Sequence, residues 1–307
     1  MGALMPNLVH SITLTRGAML CHHAAMARHT LSVTLGTQRY EIQRPWGETD
    51  GVGMISDVAT DADGRIFVLL RQDCYTDPES PAVLVLAPDG RREHAFGAAE
   101  VADGHMLGVS PAGLVHVVDR DAHQIIIFDR HGREQGRIGE RHRAGAPFNS
   151  PCDVAFAPNG DILVGDGYAA ARVHRFSAGG TPLGGFGEPG TGPGQFLIPH
   201  AVWVQPDGTV VVADRDNCRL QFFTPEGGFI REIVDSYKPM DIWGDSAGRL
   251  YVTDQVPRLS LLEADGTLIG RGRAVLNGAH GVCVAPDGGI LLAEMNPRRM
   301  TRLNPCN

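Results

Sequence analysis

Apolar and polar positions along this chain come in short bursts, and the bursts come in pairs divided by a glycine turn. Between His200 and Arg215 an apolar run, Ala201-Val-Trp-Val204, meets a Pro206-Asp-Gly208 turn. A second run, Val210-Val-Val-Ala213, then leads back to Asp214-Arg215. Proline presets φ for a tight turn, glycine accepts positive φ, and β-branched residues suit strands. The segment therefore predicts a β-hairpin with His200 and Arg215 at the same end. Aligned on the turn glycine, the unit recurs at Gly64, Gly113, Gly160, Gly248 and Gly288. A third apolar run follows each hairpin, such as Gln124–Asp129 or Arg219–Thr224, and most units add a short outer strand such as Arg133–Ile138.

The repeat spacing is that of propeller blades, roughly 40–50 residues. The sixth unit ends at Asn307, too early for its own fourth strand, while the strand-like piece Arg39–Pro45 stands unassigned ahead of the first unit. If that piece completes the last blade, the ring closes and no blade edge is left open. The expected fold is thus all-β: one six-bladed β-propeller over residues 36–307, closed by an N-terminal strand in the last blade. An N-terminal extension over residues 1–35 precedes it. A pair of β-sandwiches does not account for six equal registers.

Composition narrows the function classes. With 307 residues, 43% of them hydrophobic, 39 glycines and 20 prolines, the chain is globular and rich in turns. A net charge of -8 argues against a nucleic-acid partner. No run approaches the ~18 apolar residues of a membrane helix. The N-terminal stretch Met1–Ala27 is broken by His, Arg and Thr and makes a poor signal-peptide core. The expectation is a cytoplasmic monomer with no membrane partner. Its six scattered cysteines, with no CxxC pair, are expected to be reduced.

The register carries the chemistry. Eight residues before the turn glycines stand Ser56, His105, Cys152, His200, Met240 and His280, so histidine occupies every second blade. First strands line a propeller's channel, and three positions on alternate blades lie about 120° apart and converge on its axis. Three imidazoles with a fourth position left open form the catalytic-zinc pattern; other divalent ions accept the same ligands. The competing reading is three buried histidines that are merely hydrogen-bonded. Seven residues after the glycines stand Arg71, Arg120, Gly167, Arg215, Gln255 and Met295, with Tyr168 next to Gly167. The arginines make an electropositive mouth suited to a small-molecule or peptide carboxylate. Arg120 and Met295 are candidates for substrate contact. Tyr168, beside a dication and arginines, is a candidate base. One residue before this position recur Asp119, Asp166, Asp214, Asp254 and Glu294, expected to be structural.

Two segments carry a family resemblance: Gly192-Pro-Gly-Gln-Phe-Leu-Ile-Pro199, and Val212-Ala-Asp-Arg-Asp-Asn-Cys-Arg219. They resemble NHL repeats. More specifically, the chain resembles peptidyl-α-hydroxyglycine α-amidating lyase over roughly residues 39–303, most strongly at Asp153–Arg172 and Pro199–Arg219. The resemblance implies a six-bladed propeller with a channel zinc on His105, His200 and His280. It implies a catalytic tyrosine at Tyr168 and functional arginines at Arg71 and Arg215. It also implies a structural calcium, held largely by backbone carbonyls. The implied reaction cleaves an N-acyl α-hydroxyglycine into an amide and glyoxylate; ureidoglycolate carries the same carbinolamide carboxylate. The chain departs from the family in its cysteines and in having Gly278-Ala279 where a methionine precedes the third histidine. Two alternatives stand beside this reading. One is a metal-dependent hydrolase or lactonase on the same propeller, although calcium lactonases use acidic and amide channel ligands. The other is a non-catalytic NHL binding module, which has no need of alternating channel histidines.

Overall fold

The computed structural model describes residues 31–71, 74–273 and 278–306. The N-terminal extension expected over residues 1–35 lies, up to residue 30, outside the described residues. Ser32–Leu35 is a strand that pairs antiparallel with Gln38–Gln43. That strand in turn pairs with Arg299–Pro305, so the sheet of the last blade runs to five strands.

Six sheets form a β-propeller, and their inner strands touch in ring order, the sixth returning to the first. From blade one to blade six the inner strands are Met54–Thr60, Gly104–Val109, Asp153–Phe156, Pro199–Val204, Pro239–Gly244 and Ala279–Val284. All six turn glycines have positive φ, from 76° at Gly113 to 91° at Gly208, a backbone that other L-residues rarely adopt. In the fourth hairpin the Gly208 N–H donates to the Gln205 carbonyl at 2.9 Å, and Pro199 faces Asp214. His200 and Arg215 therefore share one end, as the turn chemistry requires.

The apolar runs are continuous, and do not alternate, because each sheet is buried on both faces. Along Val210–Asp214, Val210 and Val212 pack toward blade three while Val211 and Ala213 pack toward blade five. The same division recurs at every blade boundary, so the core is a ring of inter-blade layers around the channel. No helix among the described residues is long and apolar enough to cross a membrane.

Asp119, Asp166, Asp214 and Asp254 tie blades two to five to the connectors that enter them. Asp214 accepts from the N–H groups of Leu197 and Ile198, Asp119 from Ala102 and Asp103, and Asp166 from Asn149. The segments ahead of the inner strands, where the site is built, are thereby fixed from beneath.

Candidate active site

The histidines are aimed by bulges. In blade four the inner strand pairs with its neighbour from Val204 back to Ala201, then skips His200 so that Pro199 faces Asp214. The same skip falls on His280 in blade six and spans His105 and Met106 in blade two. An extra residue breaks the period of two and re-aims its side chain. Here it turns three buried imidazoles into the channel, with ring centroids 4.9, 4.9 and 5.1 Å apart.

Each imidazole is oriented by the odd-numbered blade beside it. Nδ1–H of His105 donates to the Cys152 carbonyl at 2.7 Å, that of His200 to Met240 at 2.7 Å, and that of His280 to Ser56 at 3.0 Å. The three acceptors occupy the histidine position of blades three, five and one. This bond fixes the tautomer and leaves each Nε2 lone pair facing the axis. The three rings offer ligand atoms within 4.8 Å of one another. Burial, reinforced by neighbouring positive charge, holds all three imidazoles below their ordinary range, His280 at about 4. They are neutral at neutral pH, the state a metal requires.

Tyr168 reaches over this tripod. Its hydroxyl lies 2.9 Å from His105 Nε2 and 3.2 Å from His200 Nε2, and Arg215 Nη1 donates to it at 3.3 Å. Its ring lies between two guanidinium groups, Arg120 at 5.3 Å and Arg215 at 5.4 Å from the centroid. The glycines before it permit this reach. A Cβ on Gly167 would stand 2.7 Å from the Pro199 carbonyl oxygen and 2.8 Å from Cys152 Sγ. Burial pushes the Tyr168 phenol above its ordinary value, while the charges of Arg215 and Arg120 pull it back. The arginines alone therefore do not lower it; the lowering expected from the sequence needs a dication as well.

The three arginines are held on their flanks. Arg71 makes a two-point bridge to Asp103, Nε–Oδ1 at 2.8 Å and Nη2–Oδ2 at 3.0 Å, and Arg120 Nη2 reaches the same carboxylate at 2.6 Å. Arg215 Nε pairs with Asp216 at 3.1 Å. Arg71, Arg215 and Met295 line a cavity of about 430 Å³ beside His280 and Tyr168. Arg120 does not line it and meets the site through Asp103 and the Tyr168 ring.

Sequence reasoning missed two features. Asp103 sits in a connector, outside the repeat register, where nothing marks it. Asp57, Asp153 and Asp241 stand one residue after the odd-blade positions, so the signal was present. Their carboxylates are buried and accept N–H bonds from the next even blade: Leu107 at 2.9 Å, Val202 at 2.8 Å and Val282 at 2.7 Å. Burial raises all three, Asp241 to about 7, and among the described residues Asp57 Oδ1 is buried without a hydrogen-bond partner.

No family model matches the chain. Over 211 residues, 59% of this chain and 22% of that one, it is 30% identical to peptidylglycine alpha-amidating monooxygenase of Rattus norvegicus. The chain thus spans under a quarter of the rat protein. It is 24% identical over 290 residues to a Caenorhabditis elegans protein named a probable peptidyl-alpha-hydroxyglycine alpha-amidating lyase, covering 82% of this chain and 83% of that one. Among solved structures it is similar to a gluconolactonase of Xanthomonas campestris, with a TM-score of 0.68, 17% identity, and 92% and 93% of the two chains covered. That likeness shows the fold alone.

Proposed function

We propose that this NHL-type propeller, whose homologues include peptidyl-α-hydroxyglycine α-amidating lyases, is a metal-dependent carbon–nitrogen lyase acting on N-acyl α-hydroxyglycines. The observation that carries the reading is the place of the Tyr168 hydroxyl, in reach of two tripod Nε2 atoms and of Arg215. A base, a metal-ligand set and a carboxylate receptor meet there around one small volume.

Zinc, or another divalent ion that accepts imidazole, would be held by His105, His200 and His280 and would supply Lewis acidity at the substrate hydroxyl. With that charge in place, Tyr168 would hold its phenolate form against the burial that opposes it. Arg71 and Arg215 hold the substrate carboxylate, their Nε sides already fixed by Asp103 and Asp216. Tyr168 Oη takes the hydroxyl proton. The C–O bond gains double-bond character as the C–N bond breaks, and the electron pair leaves with the amide nitrogen. That nitrogen takes the proton back from Tyr168. R–CO–NH–CH(OH)–COO⁻ thus gives R–CO–NH₂ and glyoxylate, with no other reactant.

The test is glyoxylate release from α-hydroxyhippurate by zinc-loaded protein. The reading fails if no metal-dependent glyoxylate appears from any of several α-hydroxyglycine derivatives, ureidoglycolate among them. Loss of bound zinc in His200→Ala checks the tripod separately; a variant that binds zinc as well as the native chain removes it.

A further inference from the structure

The cavity beside the tripod is divided by charge. Its cationic side comes from blades one and four, Arg71 and Arg215, with Arg120 of blade two just behind. Its other side comes from blades five and six and, apart from the neutral tripod imidazole of His280, carries no basic group among the described residues: Met240, Gln255, Pro257, Ala279, Met295 and Asn296 form the wall. The one acid there, Asp254, is bonded to Arg258 at 2.5 Å and to the Val256 N–H at 3.0 Å, so its charge is spent within its own blade.

A substrate whose carboxylate sits on the arginines and whose hydroxyl faces the tripod must send its acyl group toward this uncharged side. We infer that blades five and six form the acyl subsite and that it selects uncharged, apolar acyl groups; the inference rests on the lyase reading. Two methionines in one wall make it flexible, polarisable and apolar. A ureido group is too small to cover it and too polar to gain from it, and about 430 Å³ leaves room for an aromatic or branched acyl group. Gln255 and Asn296 are its polar, uncharged members, and Gln255 is the one beside Met240. Its backbone N–H is anchored on the Tyr237 carbonyl at 3.0 Å, while among the described residues its side-chain Nε2 reaches only Met240 Sδ, at 3.4 Å. Sulfur is a weak acceptor, so the side chain gains by exchanging it for the carbonyl oxygen of the scissile amide.

The experiment compares kcat/KM for glyoxylate release from α-hydroxyhippurate, its N-succinyl counterpart and ureidoglycolate, on the native zinc-loaded chain, Met240→Lys and Gln255→Glu. In parallel, calorimetry measures the binding of benzamide and urea to the same proteins. The native chain is expected to favour α-hydroxyhippurate by about tenfold or more, the gain from burying one aromatic group. Met240→Lys reverses the order of the benzoyl and succinyl substrates, and Gln255→Glu weakens the benzoyl substrate and benzamide together. Equal rates on all three substrates, or variants that leave the order unchanged, overturn the subsite while the lyase reading stands. Should no substrate release glyoxylate, the lyase reading falls. Calorimetry still decides the subsite: benzamide binding lost in Met240→Lys supports it, and binding unaffected by either variant overturns it.

Discussion

At the scale of single residues, the site separates groups that meet the reacting atoms from groups that hold them in place. Tyr168 belongs to the first kind. Replacing it with Phe removes the hydroxyl but keeps the ring between Arg120 and Arg215. The expected result is a rate lower by about 10²–10⁴, the usual weight of a positioned acid–base group, with zinc content by metal analysis unchanged. An unchanged rate takes Tyr168 out of the chemistry. Asp103 belongs to the second kind. One carboxylate receives both Arg71 and Arg120, so Asp103→Asn leaves two guanidinium groups with a weaker and asymmetric partner. KM for α-hydroxyhippurate should rise by about tenfold, the order expected for one charged hydrogen bond. Full steady-state kinetics measure this, and a KM equal to that of the native chain contradicts the assignment.

At the scale of elements, the bulge in the inner strand converts a repeat into a site. A regular strand places alternate residues on opposite faces, and both faces of a blade are core. Only the skipped residue is free to point along neither face, which is why the histidine register could be read from turn offsets alone. The fold was legible for the same reason: each turn glycine fixes the positions eight before and seven after it. What lay outside that register was not legible. Asp103 is in a connector; Met240 and Gln255 stand in register, but the apolar wall they share takes its meaning only from which blades border the cavity. The carboxylate layer was in register but went unread, because an aspartate in a strand pattern gives no sign that it is buried. That layer also makes Gly281 irreplaceable. A Cβ there would stand 2.0 Å from Asp57 Oδ1 and 2.8 Å from its Cα, in the strand that carries His280. Gly281→Ala should destabilise the chain by about 1–3 kcal/mol, as overpacking does, and disturb zinc binding through His280. Denaturant unfolding that matches the native chain counts against this packing.

At the scale of the whole molecule, a sixfold ring carries a threefold site. Even blades give imidazoles, and odd blades give the carbonyls that orient them, through Ser56, Cys152 and Met240. One residue further on, odd blades give the carboxylates that staple the next even blade through Leu107, Val202 and Val282. No blade holds a complete unit, so the tripod exists only when the ring is closed, and its protonation is coupled to folding. His280 makes the sign definite. Its imidazole titrates at about 4 in the folded chain, held down chiefly by burial, against about 6.5 when unfolded. Between those values the unfolded chain binds the extra proton, so stability is fully present above about pH 6.5 and drains away as pH falls toward 4. His280→Gln cannot take up that proton. With metal removed by a chelator, the native chain should therefore lose about 3 kcal/mol relative to His280→Gln between pH 7 and pH 4. Because the comparison is between two proteins at each pH, the opposite titration of the buried carboxylates, which both share, cancels to first order. Paired urea unfolding curves at several pH values measure the difference. A difference that does not change with pH means that the imidazole is not held neutral by the ring, and the preorganised tripod fails with it.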